Sequence, residues 1–219
     1  MNAKANRRSL QPNPAPRSRP GDGTPINVVL EQFTATDGTQ VTNIGIDLNQ
    51  APVPDRRFAA DSCGVIVKNG TVKILFGQDR VSGDGWRSLV IVQMSARAAG
   101  RFLGSLAHPN NPFLELKKTT AELYGVEKLV ESFSEPPQGQ AIALAANLPA
   151  IGITDNETCL DFYQTSPFAL SAVANTEELA LEPVVRVDLR SSLFLGLLEG
   201  LVANGIDPME FKEKGVSNG

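Results

Sequence analysis

The chain has 219 residues, 42% hydrophobic and only 6% aromatic, so it can bury a sizeable core and that core must be mainly aliphatic. The formal net charge of −4 hides an asymmetry: residues 1–24 carry five basic side chains and one acidic one, leaving 15 basic and 23 acidic for the rest. An acidic body repels nucleic acid and anionic lipid, so only the N-terminal arm, with Arg7 and Arg8, is suited to attract them. No run approaches the ~18 apolar residues of a membrane span, and the polar start lacks the apolar stretch of a secretory signal, which reads as cytoplasmic and excludes a membrane partner.

Residues 1–24 are rich in Pro, Asn, Ser and Arg without hydrophobic periodicity, and read as a disordered basic arm. Residues 25–56 hold an N-terminal hairpin and a linker. Ile26, Val28 and Leu30 alternate, Asp37-Gly38 supplies a turn, and Ile44, Ile46 and Leu48 alternate again. The Pro-rich stretch Ala51 to Asp55 then reads as a linker or an edge crossing.

The rest of the chain reads as two copies of one unit, residues 57–134 and 140–212. Ala59 to Gln78, AADSCGVIVKNGTVKILFGQ, aligns without a gap on Ala145 to Gln164, AANLPAIGITDNETCLDFYQ, 86 residues further on. Val65 falls on Ile151, Val67 on Ile153, Ile74 on Leu160 and Phe76 on Phe162. The turn pairs Asn69-Gly70 and Asp155-Asn156 coincide, and both tolerate the positive φ of a tight hairpin. A third strand, Val90 to Met94, matches Val185 to Leu189 at an offset of 95, which puts nine extra residues in the second connecting loop. The helix that follows keeps this register: Ala98, Phe102, Leu103 and Leu106 match Leu193, Leu197, Leu198 and Leu201, with Ser95 and Ser191 as expected N-caps. His108-Pro109 and Asn204-Gly205 mark the two helix ends. Asn111-Pro112 and Asp207-Pro208 each read as the start of a further helix, the first running through Leu116, Leu123 and Tyr124. Glu135 to Gly139 reads as the linker between the copies.

The hairpin, strand and helix with the steps Ile74 to Gln78, ILFGQ, and Leu160 to Gln164, LDFYQ, resembles an uncharacterised bacterial family of small β-β-β-α proteins. The same order is similar to the core of SecB-type export chaperones. The resemblance implies antiparallel sheets backed by helices and a chaperone- or adaptor-like role. It carries over no residue with a chemical role.

Residues able to do chemistry are few. His108, the single histidine, reads as a helix-end cap. One histidine and two cysteines without ligand spacing point to no metal and no cofactor. Cys63 and Cys159 read as buried structural thiols in the reduced state. Asp47, Asp155, Asp161 and Asp188 lie in or beside strands, and Asp161 and Asp188 read as the solvated face of a sheet or, as the sharper alternative, a carboxylate pair for acid–base work. Trp86 reads as part of a loop, Arg80 to Arg87, that serves either as an interface anchor flanked by two arginines or as a lid over the sheet.

The expected fold class is therefore α+β, with two tandem antiparallel β-β-β-α repeats related by an approximate two-fold, an N-terminal hairpin that extends or covers a sheet edge, and the basic arm. The expected function is a non-enzymatic protein-binding or assembly module that also self-associates, with Trp86, Arg80, Arg87, Arg7 and Arg8 as the candidate interface. The alternatives are a structural subunit of a larger particle, such as a phage or secretion assembly, and lastly a carboxylate-based enzyme.

Overall fold

The computed structural model describes residues 23–35, 38, 40–47, 49–80, 86–107, 111, 113–128, 141–154, 156–208 and 211–212. Arg7, Arg8 and the rest of the arm to residue 22, with Asp37, Leu48, His108, Pro109, Pro112, Asp155 and the linker Glu135 to Gly139, lie outside the described residues. The described chain is α+β.

In chain order, β1 (Thr24–Ala35) and β2 (Gln40–Ile46) form the expected N-terminal hairpin, with Val28 opposite Ile46 and Thr34 opposite Gln40. Thr24, read as the end of the arm, is thus the first strand residue. The short β3 (Arg57–Ala59) follows the Pro-rich stretch. Strands β4 (Ser62–Lys68) and β5 (Thr71–Asp79) close around Asn69 and Gly70 at φ +51° and +71°, the left-handed pair that a two-residue hairpin requires. Next come β6 (Trp86–Ser95) and α1 (Ala96–Leu106), which opens with the Ala98 N–H donating to the Ser95 hydroxyl at 3.1 Å. Asn111 Oδ1 accepts from the Phe113 N–H at 2.9 Å and starts α2 (Phe113–Tyr124). The chain continues through β7 (Ala141–Ala145), β8 (Leu148–Ile153), β9 (Glu157–Gln164), α3 (Pro167–Thr176), β10 (Glu178–Arg190), α4 (Ser191–Ala203) and β11 (Phe211–Lys212).

Several sequence expectations need correction. The longer second connection is not a plain loop: it holds α3, capped by the Ser166 hydroxyl on the Ala169 N–H, begun by Pro167 and ended by Glu177 at φ +51°. Trp86 and Arg87 open β6 rather than lying in a loop, Trp86 standing opposite Asp79 after a register shift. Ser191 is not the cap of α4. Arg190 holds that position, and the Ser191 hydroxyl instead donates to the Thr154 carbonyl and shares a hydrogen bond with the Thr158 hydroxyl. Asp207-Pro208 starts no helix, because the chain there is irregular and then pairs through β11 with β1. In α2 the buried positions are Phe113 and Thr120, while Leu123 and Tyr124 are exposed.

The pairings are not wholly antiparallel either. Among the described residues one sheet runs β4-β5-β6-β7 and the other β11-β1-β10-β9-β8, with β2 on β1 and β3 on β10. The N-terminal hairpin thus extends the second sheet through β1. Two contacts are parallel and were not anticipated: β7 along β6, and β3 along β10. They are reciprocal. Each short strand precedes one hairpin in sequence yet pairs with the third strand of the other half. Leu144 faces Val92 as Phe58 faces Val187, at the same offsets of 86 and 95.

The same offsets recur in individual bonds. Ala60 N–H donates to Asp188 C=O at 2.9 Å, and Ala146 N–H to Gln93 C=O at 3.0 Å. Ala96 N–H reaches Gly70 C=O as Ser191 N–H reaches Asn156 C=O. Asp61 Oδ1 accepts from Asp79 N–H as Asn147 Oδ1 accepts from Thr165 N–H. The rings of Phe76 and Phe162, 86 positions apart, meet each other with centroids 5.9 Å apart.

One large core joins both halves. Val65, Ile74, Phe76, Val90 and Val92 from the first sheet meet Leu160, Phe162, Val185, Val187 and Leu189 from the second, with α1 and α4 packed around them. Helix α4 is buried nearly all round, from Ser191 to Leu198 and at Leu201, so it is the central helix. A smaller core of Ile26, Val28, Tyr163, Val173, Leu179 and Leu181 lies on the outer face of the second sheet under α3. A bulge between Pro183 and Val185 lets β10 serve both. The extra residue reverses the alternation, so Leu179 and Leu181 share the face of Tyr163 while Val185 and Val187 share that of Phe162.

Candidate functional site

Beyond α3, the outer face of the second sheet turns polar. Asp161 and Arg186 are direct cross-strand partners on β9 and β10. Arg186 Nε and Nη2 each donate to one Asp161 carboxylate oxygen at 2.6 Å, a bidentate pair. The Tyr163 hydroxyl adds a 3.3 Å bond to Asp161 Oδ2. Asp161 is 7% exposed, so it is not the solvated residue that its place in the sequence pattern suggests. The bond to Asp161 raises the Arg186 pKa still further, and burial, with the Asp161 charge beside it, raises that of Tyr163.

Two residues along, Asp188 accepts from Arg57 Nη2 at 3.2 Å, joining β10 to the neighbouring β3. This second pair is open to solvent, with the side chains of Arg57 and Asp188 62% and 40% exposed. The Asp161 and Asp188 carboxylates are therefore each held by a guanidinium.

The Arg57–Asp188 pair lines an open cleft of about 880 Å³ with Gly152, Glu157, Cys159 and Arg190. Gly152 lies opposite Cys159 in the ladder, and a Cβ on it would come within 2.9 Å of the Cys159 sulfur, so only glycine fits there without a shift. Cys159 is thus half-buried beside the cleft rather than a core thiol, whereas Cys63 is buried as expected and burial pushes its pKa up to about 12. Both thiols are free.

Arg190 is fixed from behind. Its Nη2 donates to Glu127 Oε2 at 2.9 Å and to the Asp61 carbonyl at 3.3 Å. The other Glu127 oxygen accepts from Ser192, and the Glu127 N–H donates to the Ser192 carbonyl. A carboxylate at the first turn of α4 also meets the positive end of that helix.

Of the expected interface residues, none lines this cleft among those described, and Arg80 is joined to it through the chain. It is exposed and follows Asp79, which is bonded to the same Asp61 that Arg190 contacts. Trp86 and Arg87 lie on the strand paired with that end of β5. Asp47, one of the carboxylates singled out, closes a local turn: the Asn49 N–H and side-chain amide and the Gln50 amide all donate to it, which lowers its pKa. Asp188 is among the carboxylates singled out from the sequence, whereas its partner Arg57 could have been found only by recognising that it heads a strand paired with β10.

Among the described residues, no three His, Cys, Asp or Glu side chains are grouped to hold a metal, and no helix is long and apolar enough to cross a membrane. Comparison with family models, curated proteins and solved structures finds no match.

Proposed function

We propose that the chain is a non-enzymatic protein-binding module, built from two diverged copies of one β-β-β-α unit, whose partner seats in the cleft beside Arg57 and Asp188. The observation that carries this reading is the open pair itself. Arg57 binds Asp188 through one Nη2 contact while most of its side chain is solvent-exposed. Its remaining N–H donors are suited to a carboxylate on a partner, because a guanidinium presents a planar fork of donors. Arg190, anchored by Glu127, supplies a second fixed cation on the cleft wall.

Duplication is supported by the reciprocal parallel strands and by the bonds that recur at offsets of 86 and 95. The surfaces diverge where the scaffold agrees. Positions 66, 75 and 91 carry Ile, Leu and Ile on the first sheet, and their counterparts on the second are Gly152, Asp161 and Arg186. A binding role that resides in one copy accounts for that divergence.

The test is capture from an extract of the native host with the wild-type chain and with Arg57→Glu. A protein retained by the wild type and reduced about tenfold or more by the charge reversal supports the reading. Identical capture by both proteins contradicts it.

A further inference from the structure

We infer that strand β7 is a self-association edge, on which a second copy of this chain pairs antiparallel about Ala143. This surface is separate from the Arg57 cleft and does not rest on the partner reading.

Strand β7 ends the four-stranded sheet, with β6 on one side and no strand on the other among the described residues. Ala141, Ile142, Ala143 and Ala145 are all exposed, Ile142 to 58%. Natural edge strands are usually guarded by charge, proline or brevity. The equivalent edge, β3, has three residues and carries Arg57; β7 has five residues, AIALA, without charge or proline.

The backbone orientation follows from the ladder. Ala146 N–H points inward to Gln93 C=O, so the alternation turns Leu144 and Ile142 toward β6 and leaves the N–H and C=O of Ala141, Ala143 and Ala145 facing outward.

AIALA is nearly its own complement under a two-fold. Centred on Ala143, an antiparallel copy sets Ala143 against Ala143, Ala141 against Ala145, and Ile142 against Leu144. All three outward-facing alanine positions then meet as hydrogen-bonded pairs. The Ile–Leu pairs fall together on the face where Leu144 already packs on the core, which covers Ile142. The contact is isologous and closes at two copies, joining two four-stranded sheets into one.

Light scattering after size exclusion tests this on the full chain. A pairing this short lies at the small end of specific interfaces, so the series should run from about 1 to about 300 µM. The wild type is expected to approach twice its 23.4 kDa mass as concentration rises. Ala143→Pro removes an outward N–H and leaves the inward bonds to β6 intact, so it should stay monomeric with an unchanged melting temperature. Ile142→Lys, at an exposed position, should also stay monomeric. A wild type that remains monomeric throughout overturns the proposal, as does a dimer that persists in both variants or an open series of larger species.

Discussion

The outer faces of the two sheets occupy corresponding positions and have opposite chemistry. On the first, Ile66, Leu75 and Ile91 form a small buried apolar cluster. On the second, the same three ladder positions hold Gly152 and the Asp161–Arg186 pair, bounded by the open Arg57–Asp188 pair. The inner faces instead remain alike, with Phe76 and Phe162 in mutual contact. The inner face has little freedom, because each half packs against the other and holds a strand from it. The outer faces differ instead, apolar on the first sheet and charged on the second.

The inner face should answer alike on both sides. Phe76→Ala and Phe162→Ala are each expected to lose about 3–5 kcal/mol and to agree within about 1 kcal/mol, measured by urea unfolding. A large inequality would break the comparison at its core.

The outer faces should answer differently. Arg186→Met leaves the Asp161 carboxylate buried without its cation and should cost about 3–5 kcal/mol. Installing the first sheet's residues, Asp161→Leu with Arg186→Ile, should recover most of that loss, since replacing a buried ion pair with apolar residues is often neutral or stabilising. The double variant still deprives the Tyr163 hydroxyl of its acceptor, worth about 1–2 kcal/mol. Recovery would show that the outer face tolerates either chemistry; failure would show that the ion pair fixes the local ladder.

A smaller effect concerns alkaline pH. The Cys63 pKa is raised from 9.0 to about 12 by burial, with the Glu127 charge adding to it. A raised pKa means the stabilising contribution is complete below pH 9 and is lost as pH rises toward 12. The slope from this group approaches about 1.4 kcal/mol per pH unit. Tyr163, raised from 10.0, adds a similar loss beginning above that pH. The counterpart of Cys63 is Pro149, so Cys63→Ala should flatten the part of the alkaline limb that begins near pH 9 and leave the Tyr163 part in place. An unchanged limb would exclude the thiol as its cause.

Much of the scaffold could be read before the structure. Asn69-Gly70 announced its hairpin, Ser95 its cap, and the shared offsets aligned strands and helices. Strands β3 and β7 escaped because three and five residues carry too little periodicity to reveal a parallel partner far away in sequence. The β10 bulge was hidden because Leu179, Leu181, Val185 and Val187 keep the alternation expected of one face. Helix α3 did have a signal, Ser166 followed by Pro167, which was absorbed into an insertion. The site was least legible. Asp161 and Arg186 each resemble solvent-facing charges until the register sets them opposite one another, and Arg57 belongs to a strand that no periodicity marked.

The central claim is that the two halves interlock through exchanged strands and therefore open together. Native-state hydrogen exchange at Ala60 and Ala146 tests it most directly, because each N–H is held by a carbonyl of the other half. With increasing denaturant, both amides should merge onto one isotherm, that of global unfolding. Two separate isotherms, with one amide exchanging through an opening that spares the other, would contradict the account.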